Sequence, residues 1–284
     1  EILNGAYDRK ISFNIPPFTV DSLNSQDGNS IAFDGTFVSN HIFPDFKEKL
    51  RLQRDLSFGF EHQIPKEGYP VYGNNGRYYE QITLNNLGIR GSGKLETMNS
   101  NIVSEDLIFY PDSLISLGSA AKVKKIATAE VHHPDIDIEE HEMKWYPKKD
   151  TLIFKTFNKP FSMYANTVEF WGKVGLTSKA AFADGKLVTR GSEITSNEYL
   201  LKDESFTGHD SKFVITSADS AKPNMVASHS KIEFDLKTNK AVVSPEVEGF
   251  VSDTFPYIQY STSINRCEWV LEKQTFPNSP ATTL

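Results

Sequence analysis

A chain of 284 residues, 38% apolar and 12% aromatic, carries enough for a sizeable core in one large domain or two ordinary ones. Charged residues make up 24%, which excludes a disordered tail, a collagen-like fibre and a disulfide-stapled miniprotein. Thirty Lys and Arg against 37 Asp and Glu give a net charge of −7, which argues against a general nucleic-acid binder.

Taken in chain order, the pattern is that of short strands between polar turns. Asp34-Gly35 reads as a turn. Pro44 to Leu52 is the one helix candidate, but the spacing of Leu50 and Leu52 favours a strand. Leu50, Leu52, Leu56, Phe58 and Phe60 fall on even positions with Arg51, Gln53, Asp55 and Ser57 between them, one apolar face of a strand. Gly73-Asn74-Asn75-Gly76 is a turn signal. Ile102, Ser104, Asp106 and Ile108 alternate less cleanly, and the β-prone run Leu107 to Tyr110 ends at Pro111-Asp112. Thr151 to Phe157 stops at Asn158-Lys159-Pro160, and Val168, Phe170 and Lys212 to Thr216 read the same way. Asp184-Gly185 and Lys237 to Lys240 supply further turns. The sum predicts an all-β fold, elongated and mostly antiparallel, with few short helices.

One stretch is repeated. Gly93 to Leu114 aligns without a gap on Gly185 to Phe206, an offset of 92, with eight identities in 22 positions. Further on, Met143-Lys144-Trp145 matches Ile232-Glu233-Phe234 at an offset of 89, each followed within three residues by a lysine, Lys148 or Lys237. Cys267-Glu268-Trp269, with Lys273 after it, reads as a third copy of that short piece. In each copy the first and third residues share a face and the charged middle one turns away. Such units cannot bury their apolar faces alone, so the reading is a stacked β-repeat, solenoid-like or sandwich-like. It divides the chain into an N-terminal β region with a Tyr/Gly-rich loop (1–92) and two repeat units (93–184 and 185–284), continuous with one another.

Several constellations bring chemistry-bearing side chains together in the sequence. Gly88 to Leu95 matches the first seven positions of a phosphate-binding loop, but Leu95 stands where a Ser or Thr should hold magnesium and no helical stripe follows. Gly-Lys-Leu therefore reads as the repeat's own turn. On a strand, His133, Asp135, Asp137, Glu139 and His141 share one face with Ile136 and Ile138 opposite, a pattern open to a divalent metal, to a pair of glycosidase carboxylates or to a solvated strand, which it favours. His209-Asp210-Ser211 and His229-Ser230 place base beside nucleophile, although triads are assembled by the fold and not by adjacency. Tyr69, Tyr72, Tyr78 and Tyr79 form an aromatic loop suited to stacking on sugars or, as the reading prefers, to packing on a sheet. His41 and His62 lie beside apolar runs and read as exposed or hydrogen-bonded histidines. Cys267, the single cysteine, cannot form an internal disulfide and reads as a buried, inert thiol. No residue is expected to be catalytic, to bind a cofactor or to ligate a metal, and the expectation leans away from an enzyme.

The pieces Ser228 to Lys237 with Ala241-Val242-Val243, and Gly185 to Ser196, resemble the strand–turn–strand units of envelope proteins of the lipopolysaccharide-transport (organic-solvent-tolerance) type. That resemblance implies antiparallel strands in a folded-over sheet, a β-taco, with an apolar interior that passes lipid along. The stretch up to about Asn86 departs from it and looks more like the large β-rich exported proteins of bacterial envelopes. The expectation is a non-enzymatic module of a larger cell-envelope protein, structural or binding lipid, glycan or an envelope protein, in the periplasm, at the outer membrane or outside the cell. The opening Glu-Ile-Leu-Asn-Gly and the linker-like Pro-Asn-Ser-Pro ending suit an excised piece. No stretch approaches the roughly 18 apolar residues of a membrane-spanning helix. The alternative is a carbohydrate-binding or glycoside-hydrolase β protein using the aromatic loop 69–79 and the acidic strand 135–142.

Overall fold

The computed structural model describes residues 7, 11–19, 31–217, 223–247, 253–256, 258–262 and 265–270. Lys273 and the two chain ends lie outside the described residues. The strands in chain order are β1 (Ser12–Asn14), β2 (Ala32–Val38), β3 (Phe46–Leu52), β4 (Phe58–Gln63), β5 (Tyr69–Val71), β6 (Gly76–Asn85), β7 (Gly88–Thr97), β8 (Ser100–Phe109), β9 (Leu114–Val123), β10 (Ile126–Ala127), β11 (His132–His133) and β12 (Ile136–Tyr146). They continue as β13 (Thr151–Thr156), β14 (Phe161–Met163), β15 (Val168–Leu176), β16 (Ala181–Thr189), β17 (Ser192–Leu201), β18 (Ser205–Ile215), β19 (Met225–Asp235), β20 (Lys240–Pro245), β21 (Asp253–Phe255), β22 (Tyr260–Thr262) and β23 (Cys267–Val270). Among the described residues the only helical element is a single 3₁₀ turn, Pro147–Lys149. The fold is all-β and antiparallel. Pro44 to Leu52 is strand, as the leucine spacing predicts.

The chain forms two compact units: residues 1–121 with 142–152, and residues 122–141 with 153–284. In the first, β1–β2–β3 form one ladder, β4 leaves it after the pair Arg51↔Gly59, and β4 then joins β6 through Phe60↔Leu84. Phe37, Phe46 and Phe60 pack together where the ladders part, with ring centroids 5.1–5.6 Å apart. Burying each ring contributes about 2–3 kcal/mol, and aromatic pairing adds to that. The long strands β6, β7 and β8 follow. In the second unit β14 to β20 run as a continuous antiparallel series, with β23 on β20.

Two of the expected turns are not turns. Asp34-Gly35 lies within β2 and Asp184-Gly185 within β16. The run Leu50 to Phe60 is not one strand either. It is a β3–β4 hairpin whose tip carries Leu56, 79% exposed and at φ +65°. The Asp55 carboxylate accepts the Ser57 N–H at 3.0 Å and closes the turn.

The repeat is physical. Leu95, Ile102, Ser104, Leu107 and Phe109 are buried, and so are Leu187, Ile194, Ser196, Tyr199 and Leu201, each 92 residues later. Gly91↔Leu107 and Gly93↔Ser104 leave one extra residue on β8. Ala183↔Tyr199 and Gly185↔Ser196 leave one on β17 at the equivalent place. These are β-bulges, and each reverses the inward parity of its strand from even to odd or back. The correspondence extends upstream of the sequence match: Tyr78, Ile82 and Leu84 on β6 are buried like Phe170, Val174 and Leu176 on β15. Met143 and Trp145, Ile232 and Phe234, and Cys267 and Trp269 all point inward, with Lys144, Glu233 and Glu268 turned away as the pattern predicts.

Candidate functional site

The bulges decide where the chemistry-bearing side chains go. Strand β12 buries Ile136 and Ile138, then changes parity at Glu139-Glu140 and buries His141, Met143 and Trp145. The expected common face of His133, Asp135, Asp137, Glu139 and His141 is therefore not formed. His133 and His141 are buried, and His141 packs edge-on against Phe154 at 4.9 Å. Asp137 and Glu139 stay outside, paired with Lys122 at 3.2 Å and with Lys159. The Asp135 carboxylate accepts the Ala165 N–H at 2.7 Å and pins the turn after β14. Among the described residues no group of three His, Cys, Asp or Glu is arranged to hold a metal.

The serine–histidine neighbours are separated in the same way. On β18 the bulge at His209-Asp210 turns Ser211 inward, fully buried, while His209 stays at the surface. On β19 the bulge at Ser228-His229 buries Ser230 and leaves His229 exposed. Ser211 Oγ donates to the His209 carbonyl and Ser230 Oγ to the Ser228 carbonyl, at 3.3 and 3.2 Å. Nucleophile and base are on opposite sides of the sheet.

The structure instead joins groups that sequence spacing does not connect. His209 Nδ1 lies 2.9 Å from Glu246 Oε1, the Asp210 N–H donates to Glu246 Oε2 at 3.2 Å, and His229 Nδ1 lies 2.8 Å from Asp210 Oδ1. This network ties the outer sides of the β18 and β19 bulges to the end of β20. The bond from His209 holds the Glu246 carboxyl below its ordinary pKa. In the first unit Glu48 Oε2, His62 and the Tyr69 hydroxyl form a chain with both contacts at 2.9 Å, and the imidazole stacks on Phe46 at 3.9 Å. Both ring nitrogens of His62 are engaged, so it is the hydrogen-bonded histidine that the sequence suggested. His41 is exposed, at φ +74°.

The tyrosine loop packs. Tyr72 is buried, its hydroxyl 2.8 Å from the Tyr110 carbonyl and 2.7 Å from that of Ser113, and its ring meets Trp145 edge-on. Tyr78 is fully buried and donates to the Gln81 carbonyl at 2.7 Å. Burial holds both phenols above their ordinary pKa. Tyr69 and Tyr79 remain half-buried at the surface. The stretch Gly88 to Leu95 is strand β7, followed by a turn and β8, with no helix to aim amides at a phosphate. Gly-Lys-Leu is not a turn in either copy but strand directly after the bulge, its glycine paired with Ser104 or Ser196 and the extra residue on the facing strand. Lys94 bonds Glu96 and lies over the Tyr79 ring at 5.5 Å. Cys267 is a free, buried thiol whose pKa burial pushes up to about 11, with Asp253 and Glu268 adding to the shift.

Compared with family models, curated proteins and solved structures, the chain finds no match in any of the three. No helix among the described residues is long and apolar enough to cross a membrane.

Proposed function

We propose that the chain is a non-enzymatic β-repeat module, structural or partner-binding, of a larger protein of the bacterial cell envelope. One observation carries the non-enzymatic part: each bulge sends the serine inward to bond its own backbone and leaves the histidine outside, bound to a carboxylate. The groups that acyl transfer needs within one hydrogen bond of each other are held on opposite faces. Within the second unit the interior is filled. Phe170, Tyr199, Phe206 and Phe234 lie in successive ring contacts of 5.0–6.2 Å, all nearly or fully buried. A filled core of this kind supports a scaffold over an open lipid conduit.

The test is a turnover screen of the purified chain with ester, glycoside and peptide substrates, run beside a His209→Ala/His229→Ala variant. No turnover above buffer is expected. Turnover that disappears in the variant overturns the reading, and glycan-array binding that is lost in Tyr79→Ala replaces a purely structural role with the carbohydrate-binding alternative. Fractionation of cells expressing the gene tests the envelope setting, and recovery in the cytosol alone rejects it.

A further inference from the structure

The outer face of the β1–β2–β3 ladder gathers cations. Register fixes which side chains share it: Asn14↔Thr36↔Lys47 form one row, Asp34↔Lys49 the next and Ala32↔Arg51 the third. The opposite side of the same strands carries Phe37 and Phe46 into the core and turns Glu48 toward His62. Strand alternation thus leaves three cations and one carboxylate on the outer face of a chain whose net charge is −7.

This face is concave. Strand β1 pairs with β2 over only three residues, and then Ile15 and Pro16 leave the ladder. They form an apolar wall opposite the cationic strand β3, and the groove between them measures about 890 Å³. Lys49 reaches Asp34 at 3.5 Å. Among the described residues Lys47 and Arg51 make no ion pair, which leaves two of the three cations unneutralised within that set. Cations at every second residue of a strand repeat about every 7 Å, and carboxylates at every second residue of an extended peptide repeat at that same distance. Arg presents a fork that matches a carboxylate with two bonds, and Lys a point charge. Such complementary rows fix register and speed encounter more than they add raw affinity.

We propose that this groove is a docking site for an extended acidic peptide with Asp or Glu at alternating positions, its apolar residues against Ile15 and Pro16. The proposal rests on the partner-binding side of the scaffold reading and names a partner class for it. Its failure would leave the non-enzymatic reading intact, because that reading stands on the bulge geometry of the second unit.

Fluorescence anisotropy of the whole chain tests it. The probes are a labelled octapeptide alternating Glu and Thr and its isomer with the four Glu in one block, with inorganic phosphate and phosphatidylglycerol vesicles as further arms. The alternating peptide is expected to bind with an affinity that falls with salt, roughly tenfold more tightly than the block isomer. Lys47→Glu/Arg51→Glu should abolish that binding, and Lys231→Glu on the second unit should leave it unchanged. If circular dichroism shows the double reversal unfolded, Lys47→Ala/Arg51→Ala reads the same contact. Equal affinity for the two isomers, binding that survives the double substitution, no binding at all, or binding to phosphate or vesicles alone each overturns the proposal.

Discussion

Gly93 and Gly185 stand 92 residues apart and adopt the same backbone, φ +147° and +144°, each opposite a buried serine across a bulge. A Cβ on Gly93 would meet the Tyr79 carbonyl oxygen at 2.2 Å, and one on Gly185 the Trp171 oxygen at 2.1 Å. Tyr79 and Trp171 are themselves 92 residues apart. The same steric solution at the same place in two stretches marks one architectural unit used twice.

Gly185→Ala is therefore expected to destabilise its unit by about 3 kcal/mol, from the forbidden φ and the carbonyl clash together. Gly118 is the control: its φ is +71°, but a Cβ there meets nothing within 4 Å. Gly118→Ala should cost only the backbone preference, about 1 kcal/mol. Urea unfolding followed by circular dichroism measures both. Equal shifts in midpoint would show that close approach at the bulge is not what requires the glycine.

The strand content of the fold was legible because period-two patterning reports a half-buried strand directly, as in Thr151 to Thr156 and Lys212 to Ile215. The bulges were not. A single extra residue reverses the face of everything after it, so the uneven alternation at Ile102 to Ile108 was visible without its cause. A change of parity at Glu139-Glu140 on β12 likewise placed His141 in the core when simple alternation put it beside Asp137 and Glu139. Asp-Gly misled twice because glycine has two uses. At Gly185 it permits a positive φ inside a strand, and at Gly35 it makes room for Phe13, whose ring lies 2.4 Å from where a Cβ would be. The joining of His209 to Glu246 across 37 residues depends on β18, β19 and β20 lying side by side, and no local spacing records it. The charge row Lys47, Lys49, Arg51 was present in the sequence, but that Lys49 pairs with Asp34 while its two neighbours make no ion pair among the described residues emerges only from the register of three strands.

The buried hydroxyls at the bulges satisfy backbone groups that the irregular ladder would leave unbonded. Ser196 Oγ accepts the Glu198 N–H at 3.0 Å and donates to the His209 carbonyl at 2.5 Å. Its counterpart Ser104 accepts the Asp106 N–H at 3.1 Å. Ser196→Ala should cost about 1–2 kcal/mol, the penalty for stranding a buried backbone group. Ser104→Ala should cost a similar amount. A loss below a few tenths of a kcal/mol in thermal or urea unfolding of either variant would mean that the hydroxyls contribute nothing to the bulge.

Cys267 is expected to be inert in the folded chain. Its pKa near 11 leaves almost no thiolate at neutral pH, and the thiolate is the reacting species. A chromogenic thiol reagent at pH 7.5 should titrate no cysteine in the native protein and one after guanidinium unfolding. Rapid native reaction would contradict the burial of β23 against β20.

Acid should weaken the second unit through two paired carboxylates. Glu246 is held below its ordinary pKa first by the bond from His209, and Glu268 first by that from Lys240 and then by Arg266. Each carboxyl binds its proton less tightly folded than unfolded, so its contribution is complete above the ordinary carboxylate pKa. It is lost as pH falls through the lower, folded value, which places the effect below about pH 4.5. A Glu246→Gln/Glu268→Gln variant should start less stable at pH 7 and lose less on acidification, because the amides do not titrate. Melting temperatures of both proteins at pH 7 and pH 3.5 measure this, and 1 M salt should shrink the difference between them by screening surface pairs. If the variant melts as high as the parent at pH 7 and falls just as far in acid, the two pairs add nothing to folding and the acid response lies elsewhere in the chain.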